Sequence, residues 1–482
     1  MKVLLLNPPR SWANRILDLA PLEAQRFIHR KLVGPPLGLL AVATAAQREH
    51  DVVLFDLKGE YDLAPDAQRR QEEHPPAEIV RALMAEHRPD VVGVTTIASE
   101  FDAAMEMLRV AKAVDPAVLT VAGGAHATLA PEHFDPHPVD VLVTGEGVRA
   151  FSELLAARAA GQSGPGAGRF GGLGPQTLDE VGGIRIRDAE GQARESRLFH
   201  GPPDRLRPSR TPAGDRDPTG RDFVRPDRSL LARWTPTYLV GGNPRPITYL
   251  YTSLGCPARC TFCSIWPQHL GNFHQRDPDD VVDELRTLGD YGAVRFADAD
   301  TAGDLGRAEA LFDRILQSGV RQDLVIDLRM DTAAAHPALV EKMARAGVKI
   351  AIAGFESPRA AELERYRKKL TPRDLDEGFR VCEANGIRLR ANYVVNPDYD
   401  RDDFRVLAQF AGEHRAAYAG YTILTPLPGT SLHRQERARI VDHDLAKYNF
   451  FNCVLPTRLP EDEFYEEVGR LWLVREGTHT IS

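Results

Sequence analysis

Two successive series of short β-branched runs, each run followed by a segment of helical period, constrain this chain more than any other feature. The first series comprises VLLLN (3–7), DVVLFD (51–56), DVVGVTT (90–96), VLTVAGG (118–124) and VDVLVTG (139–145). Between these runs lie LGLLAVATAAQRE (37–49), AEIVRALMAEHR (77–88) and FDAAMEMLRVAKAV (101–114). Continuously apolar runs belong to strands covered on both faces, and strands joined through helices run parallel. The expectation is a doubly wound, Rossmann-like α/β domain over residues 1–158. Such sheets take ligands beyond the carboxyl ends of their strands. Those ends here carry Asn7-Pro8-Pro9, Thr95-Thr96, Gly123-Gly124-Ala125-His126 and Gly145-Glu146-Gly147.

The second series has ITYLYTS (247–253), VRFAD (294–298), LVIDLR (324–329), VKIAIAGF (348–355), IRLRANYVV (387–395) and GYTILT (420–425). Helices fit 279–289, 306–318, 337–346, 373–385 and 402–415. Six βα units fall short of the eight that close a barrel, so residues 241–435 are expected to form an open partial (β/α)6 barrel with a wide mouth. Between the two series, GQSGPGAGRFGGLGP and GPPDRLRPSRTPAGDRDPTGRD are dominated by Gly, Pro, Arg and Asp, and only GIRIRD (183–188) reads as a strand. Residues 159–240 are therefore expected to be a wrapping linker. Residues 436–482 are expected to form a small cap, with the aromatic stretch YNFFNCVLP (448–456) and a helix over 464–474.

Hydrophobic residues make up 43% of the 482 and charged residues 27%, too much apolar material for one core and too little charge bias for disorder. The net charge is -8 with Lys and Arg dispersed, which gives no footprint for a phosphate backbone and excludes nucleic acid as an expected partner. MKVLLLNPPRSW has an apolar run too short for a secretory signal. The least polar stretch, 35–46, falls short of the ~20 residues of a transmembrane span. A cytoplasmic protein is expected.

Of five cysteines, three stand within eight positions in Gly255-Cys256-Pro257-Ala258-Arg259-Cys260-Thr261-Phe262-Cys263, directly after the first strand of the second series. Barrel active sites are built at that end of the strands. Three thiolates so spaced can wrap one face of an iron–sulfur cubane and leave its fourth iron open. The alternatives are a zinc site lacking its fourth ligand, or buried thiols; a structural zinc would want a Cys or His pair at a comparable spacing elsewhere. Cys382 and Cys453 stand alone and read as core residues.

A CxxxCxxC loop after a strand of a partial barrel resembles the radical S-adenosylmethionine (SAM) superfamily. The preceding domain, with GGAHAT and TGEG at its strand ends and PPLGLL in its first helix, resembles the cobalamin-binding domain of the cobalamin-dependent subgroup. The resemblance covers nearly the whole chain. It implies a [4Fe-4S] cluster on Cys256, Cys260 and Cys263 that gives one electron to SAM, producing a 5'-deoxyadenosyl radical. It also implies a methylcobalamin that delivers its methyl to a substrate radical, and an external electron donor of flavodoxin or ferredoxin type. Cobalamin is then expected against Asn7, Pro8, Leu37, Gly38, Thr95, Gly123, Gly124, His126, Gly145 and Glu146. Gly123 and Gly124 equally suit a tight turn, and His126 reads as a rim residue orienting the corrin or as a plain loop histidine. SAM is expected against Asp298, Arg329, Glu356, Thr425 and Pro426. In Phe296-Ala297-Asp298-Ala299-Asp300, Ala299 stands where the family usually has an acid, which favours Asp298 over Asp300 beside the methionine amine. A helix cap is the alternative for both acids, and a structural ion pair is the alternative for Arg329 and Glu356. Gly354-Phe355-Glu356-Ser357 resembles the family's GxES element, and Thr425 to Thr430 its TPLPGT turn on the adenine side.

The DxHxxG fingerprint that supplies an axial histidine in other cobalamin proteins is approached only by Asp135-Pro136-His137-Pro138-Val139-Asp140, without the glycine. Cobalamin with no protein histidine on cobalt is expected. CTFCSIW with HQRDPDDVVDEL, NYVVNPDYDRDDF with its Asn396-Pro397, LTPLPGT and VLPTRLPEDEFYEE resemble the hopanoid C-3 methylase branch. The aromatic tail and Trp472 either wall an apolar substrate pocket or pack the cap, and Trp266 packs either on the cofactor or in the barrel. The leading expectation is methylation of an unactivated sp3 carbon of an apolar or natural-product substrate. A non-methylating enzyme of the same cofactors, performing a cyclisation, ring rearrangement or oxidation, is the alternative; a cobalamin sensor with a vestigial barrel is a third. Substrate identity and oligomeric state stay open.

Overall fold

The computed structural model describes residues 1–28, 34–161, 181–187, 193–196, 223–239, 245–414 and 418–474. Contacts divide the chain into two interleaved units. Met1–Trp12, Pro35–Tyr238 and Pro267–Leu270 form the first, and Ala13–Gly34, Leu239–Trp266 and Gly271–Ser482 the second. This division differs from the expected cuts at 158, 240 and 435: residues 13–34 join the second unit and most of 159–240 joins the first.

The first unit is built on a seven-stranded sheet of β1 (Lys2–Asn7), β2 (Asp51–Asp56), β3 (Val91–Thr95), β4 (Leu119–Gly123), β5 (Val141–Val143), β6 (Ile184–Arg187) and β7 (Ala193–Glu195). Its order is β2-β1-β3-β4-β5-β6-β7. The first five strands are parallel, and β6 and β7 add on antiparallel. The order reverses direction between β1 and β3, the switch point at which doubly wound sheets open a crevice. GIRIRD thus extends the sheet, started by Gly183 at φ +75°, whose carbonyl accepts from Thr144 N at 2.9 Å and Oγ1 at 3.1 Å. Residues 223–238 also lie on this unit. Asp227 N donates to Thr44 Oγ1 at 2.8 Å, Trp234 Nε1 to Glu60 at 2.9 Å and Tyr238 OH to Asp56 at 2.6 Å. The remainder of the expected linker, 162–180, 188–192 and 197–222, lies outside the described residues.

The second unit carries β8 (Ile247–Leu250), β11 (Ala293–Phe296), β12 (Leu324–Asp327), β13 (Val348–Glu356), β14 (Arg388–Val395) and β15 (Tyr418–Ile423) in one parallel sheet, ordered β15-β14-β13-β12-β11-β8. These are the six expected βα units. ITYLYTS does not stay one strand: after β8 the chain leaves the sheet, and β9 (Ser253–Gly255) pairs antiparallel with β10 (Phe273–Gln275). The cause is Asp298, whose Oδ1 accepts from Thr252 N and Ser253 N, each at 2.8 Å, and so draws the chain out of the sheet. Helix starts are written in the sequence: Asp304 caps Leu305–Ser318, and Thr371/Asp374 and Asp400/Asp403 form capping boxes for Pro372–Ala384 and Arg401–Glu413.

The cap is completed from far away in the chain. Helix Glu461–Leu471 packs on the short helices Arg15–Leu19 and Leu22–Gln25, with Gly469 so close to Ala20 that a Cβ would come within 2.6 Å of it. Arg15 N donates to Asn452 Oδ1 at 2.9 Å. In the aromatic stretch, Tyr448, Val454 and Leu455 are core, while Phe450 is exposed. Trp472 packs against Tyr421 with ring centroids 5.6 Å apart, within the same apolar cluster as the strands. Among the described residues, no helix is long and apolar enough to cross a membrane.

Candidate cofactor and active site

In the second unit, the cysteine loop follows β9 through Gly255 at φ +82°. It is pinned by Arg259, whose guanidinium donates to Cys256 O at 2.9 Å and Gly271 O at 2.8 Å and stacks over Trp266 at 5.2 Å. Gly271 has no room for a side chain, since a Cβ would meet Arg259 at 2.9 Å. Trp266 Nε1 donates to Cys260 O at 2.9 Å, so this tryptophan braces the loop itself. Burial raises all three thiol pKa values, that of Cys263 to about 11, and the three sulfurs lie near enough to one another to add to it. Asp300 and Arg329 face Cys256; Lys368, Glu356 and Arg329 face Cys260.

The charged rim around the loop is tightly built. Lys368 Nζ bonds Glu356 Oε1 at 2.6 Å, and Glu356 holds a left-handed backbone, φ +57°. Gly354 makes room for the pair: a Cβ there would lie 2.0 Å from Glu356 Oε1 and 2.4 Å from Lys368 Nζ. Burial opposes charge on Lys368, yet Glu356 and Cys260 hold its pKa above the ordinary value. Arg329 chelates Asp331 at 3.0 and 2.6 Å and donates to Lys368 O at 2.8 Å. Ser357 bonds Glu362. Thr425 is buried with its hydroxyl donating to Ile423 O at 2.9 Å. Thr430 closes the proline turn on Leu427 O at 2.7 Å and caps Ser431–Glu436. Lys368 escaped the sequence reading because RYRKK looks like a solvated run; its burial comes from folding back over β13.

The two acids at the end of β11 differ in how far their oxygens are already engaged. Asp298 is committed to structure: besides Thr252 N and Ser253 N it accepts from Thr252 Oγ1 at 2.5 Å, and Arg307 holds the same threonine through Oγ1 and O. Asp300 is buried beside Arg329 with only Ala302 N, at 3.3 Å, donating to it, and burial lifts its pKa to about 6. Among the described residues Asp300 is thus the acid with more acceptor capacity left, whereas Asp298, expected beside the methionine amine, is engaged by the β8–β9 corner.

The donor set fits the implied cluster. Three soft sulfurs share one loop, and the negative charge a thiolate-ligated cluster brings inside a protein needs compensating cations, which Arg329 and Lys368 supply. A one-metal zinc site is not assembled: among the described residues, no three His, Cys, Asp or Glu side chains converge on a single-ion site.

In the first unit the strand ends form a second rim. Asn7 Nδ2 donates to Asp56 Oδ1 at 2.6 Å, and Pro8 is buried beside it, so these two latch β1 to β2. Gly124 has φ +99°, and a Cβ there would press on Thr96 N at 2.7 Å and Thr95 Oγ1 at 2.8 Å; Gly123 abuts Val143 at 3.5 Å. Gly145, at φ +72°, donates its N–H to Thr128 Oγ1 at 2.9 Å, and Glu146 bonds His269 at 2.6 Å. At the start of helix Leu37–Ala46, Leu37 is buried, whereas nothing lies within 4 Å of a Cβ placed on Gly38. Small residues, left-handed glycines and this open space fit a large flat ligand approaching backbone.

His126 is not a rim residue. It is 2% exposed, hydrogen-bonds His133 at 3.1 Å and packs among Phe101, His133 and Phe134, where burial drives its pKa down to about 3. The rim expectation is corrected: its place on the helix Ala125–Leu129 turns the ring inward. His137 packs edge-on against Phe101 at 5.1 Å, and Asp135 pairs with Arg185 at 3.0 Å.

Comparison with known proteins agrees with both halves. Residues 26–155 match the B12 binding domain, and residues 250–411 match the radical SAM superfamily. The hopanoid C-3 methylase of Methylococcus capsulatus is 26% identical over 92% of this chain and 77% of its own length. The anaerobic magnesium-protoporphyrin IX monomethyl ester cyclase of Rubrivivax gelatinosus is 25% identical over 81% of this chain and 66% of its own. The radical SAM methyltransferase TsrM of Kitasatospora setae, solved with cobalamin and a [4Fe-4S] cluster, shares the fold with a TM-score of 0.68 at 17% identity, covering 99% of this chain and 91% of that one. Fold and matches together define a radical SAM enzyme with a B12-binding domain. More narrowly, the pairing of a B12 binding domain with a radical SAM domain supports the cobalamin-dependent radical SAM methyltransferase family.

Proposed function

We propose that the chain methylates an unactivated sp3 carbon of a small molecule, with a [4Fe-4S] cluster on Cys256, Cys260 and Cys263, SAM at the barrel mouth, and cobalamin at the strand ends of the first unit. When bound, these groups supply an electron for reductive cleavage of SAM and a methyl for transfer. The carrying observation is the asymmetric rim: Arg329, Lys368, Glu356 and Asp300 gather on the Cys256 and Cys260 side of the loop.

In this reading Asp300 accepts from the methionine ammonium, and Arg329 pairs with the methionine carboxylate. Lys368 holds Glu356 oriented for the SAM hydroxyls, and Thr425-Pro426 presents a rigid backbone edge to the adenine. Asn7, Pro8, Leu37, Gly38, Thr95, Gly123, Gly124, Gly145 and Glu146 cradle the corrin. The inward turn of His126 and the packing of His137 support cobalamin without a protein histidine on cobalt. A flavodoxin- or ferredoxin-type reductant in the cytoplasm would feed the cluster.

Anaerobic turnover with trideuteromethyl SAM and a panel of candidate metabolites tests the reading, the expected result being a product heavier by a labelled methyl together with deoxyadenosine. Deoxyadenosine with an unlabelled, cyclised or oxidised product would establish the second reading, which the likeness to the cyclase favours. Absence of SAM cleavage by reconstituted, reduced enzyme would overturn both.

A further inference from the structure

The cysteine loop of the second unit is held from outside by two basic segments. Thr261, between Cys260 and Cys263, donates its N–H to Tyr366 O at 3.0 Å and its hydroxyl to Arg365 O at 3.4 Å, and its carbonyl accepts from Leu432 N at 2.8 Å. Cys260 Sγ lies 4.0 Å from Arg367 O. The strap Arg365-Tyr366-Arg367-Lys368-Lys369 and the helix Ser431–Glu436, continued by Arg437–Arg439, therefore both rest on the loop. The strap has two faces. Tyr366 and Leu370 are buried and Lys368 turns in to Glu356, whereas Arg367 and Lys369 are exposed. Both exposed residues hold a left-handed backbone, φ +53° and +56°, which is unfavourable for residues with a Cβ. The packing of their neighbours over the loop keeps them there.

Arg365, Arg434, Arg437 and Arg439 extend the outward face. Arg365 and Arg439 both bond Glu436, at 2.7 and 3.0 Å, and Arg439 also holds Asp398 at 2.6 Å, so strap and helix form one surface. Its six cations stand against three carboxylates, Glu436, Asp398 and the exposed Glu364. Glu362 is turned inward to Ser357 and to Tyr399 OH, and Arg359 and Arg373 at the two ends are matched by Asp403 and Glu377. Among the described residues, no carboxylate pairs with Arg367, Lys369 or Arg437. This excess of positive charge sits on a chain whose net charge is -8. Cations gathered at one place on an otherwise acidic surface steer and orient a partner of opposite sign.

We propose that this face docks an acidic electron-carrier protein, whose carboxylates meet Arg367, Lys369 and Arg437, and that the strap leads its electron to the cluster at Cys260. One electron leaves the carrier's redox centre and enters the cluster; no bond is made or broken. Cations spread over two segments and open to water fit the broad surface of a protein better than a small anion. The destination of the electron rests on the methyltransferase reading; the docking face does not.

The test is equilibrium binding of an oxidised flavodoxin of net negative charge to reconstituted holoenzyme, without SAM or reductant. Affinity should fall on the order of tenfold between low and physiological ionic strength. The triple variant Arg367→Glu, Lys369→Glu, Arg437→Glu should weaken binding at low salt by about tenfold or more, and slow cluster reduction by reduced flavodoxin to match. Arg321→Glu, Arg345→Glu, Arg388→Glu makes the same change of net charge on exposed residues beside the amino ends of β12, β13 and β14, and should weaken binding less than about threefold. Arg367→Lys, Lys369→Arg, Arg437→Lys should bind as the wild type does. Iron content and the electron paramagnetic resonance spectrum of the dithionite-reduced cluster, at wild-type values, report an intact loop. No binding, binding indifferent to salt, or a loss no larger in the face variant than in the remote one would overturn the proposal. So would binding to phosphatidylglycerol vesicles that the face variant loses, which would give the face to a membrane. Face-dependent flavodoxin binding in an enzyme that fails to cleave SAM would leave the docking face standing and remove the methyltransferase reading alone. SAM cleavage driven by titanium(III) citrate, with flavodoxin binding that ignores the face, would do the reverse.

Discussion

The two parallel sheets of this chain are made from the same βα repeat and differ in what lies against their second face. In the first unit, β1, β3 and β4 are buried at nearly every position, and their sequences run LLL or VVGV without a break. In the second unit several inner positions are half-exposed, among them Arg295, Asp327, Arg390 and Asn392. A sheet covered on both faces offers chemistry only at its rim, whereas a curled sheet adds a lined interior.

The sharpest way to break the comparison is at the cysteine loop. Cys260→Ala should abolish iron incorporation and SAM cleavage, measured by iron content and deoxyadenosine chromatography, and leave cobalamin absorbance unchanged if the first unit holds its cofactor by its own rim. A second contrast lies within the barrel. Asp298→Asn removes the charge from a buried acceptor of three hydrogen bonds and should cost ~2–4 kcal/mol of stability in urea titration. Asp300→Asn should cost under about 1 kcal/mol and weaken SAM binding roughly tenfold, read by equilibrium dialysis. A pH-dependent effect belongs to the first unit. His126, with a folded pKa of about 3 against 6.5 when free, refuses a proton that the unfolded chain accepts. Its stabilisation is complete above pH 6.5 and is lost as pH falls towards 3, by roughly 1.4 kcal/mol per unit, or about 2 kcal/mol at pH 5. His126→Leu should flatten that slope between urea titrations at pH 7.5 and 5.0.

Both sheets were legible in the sequence because strand-length apolar runs recur with helices between them, and the cysteine loop because its spacing is local. The folding of ITYLYTS into two strands was not legible, since the carboxylate that bends it, Asp298, lies 45 residues further along the chain from Ser253. For the same reason the different engagement of Asp298 and Asp300 was hidden: their order in FADAD says nothing about which one the β8–β9 corner consumes. His126 follows two glycines at a strand end, which reads as a rim, and only the tertiary placement of Phe101, His133 and Phe134 shows the ring pointing inward. The docking of Arg15–Leu19 and Leu22–Gln25 within the second unit was equally hidden, because a short amphipathic stretch does not specify which apolar surface covers it. The inner charges of the barrel were visible as alternation in RLRANYVV, but continuous burial was the pattern sought for a parallel sheet.

The union of Arg15–Leu19 and Leu22–Gln25 with Glu461–Leu471 sets an order of events on the ribosome. Ile16, Leu17 and Ala20 leave the exit tunnel more than four hundred residues before the surface they settle on is synthesised. Until then they stay without their partner while the first unit has its strands in hand, so contacts of such long sequence separation close last. Between those two moments the nascent chain carries a greasy, unfinished edge.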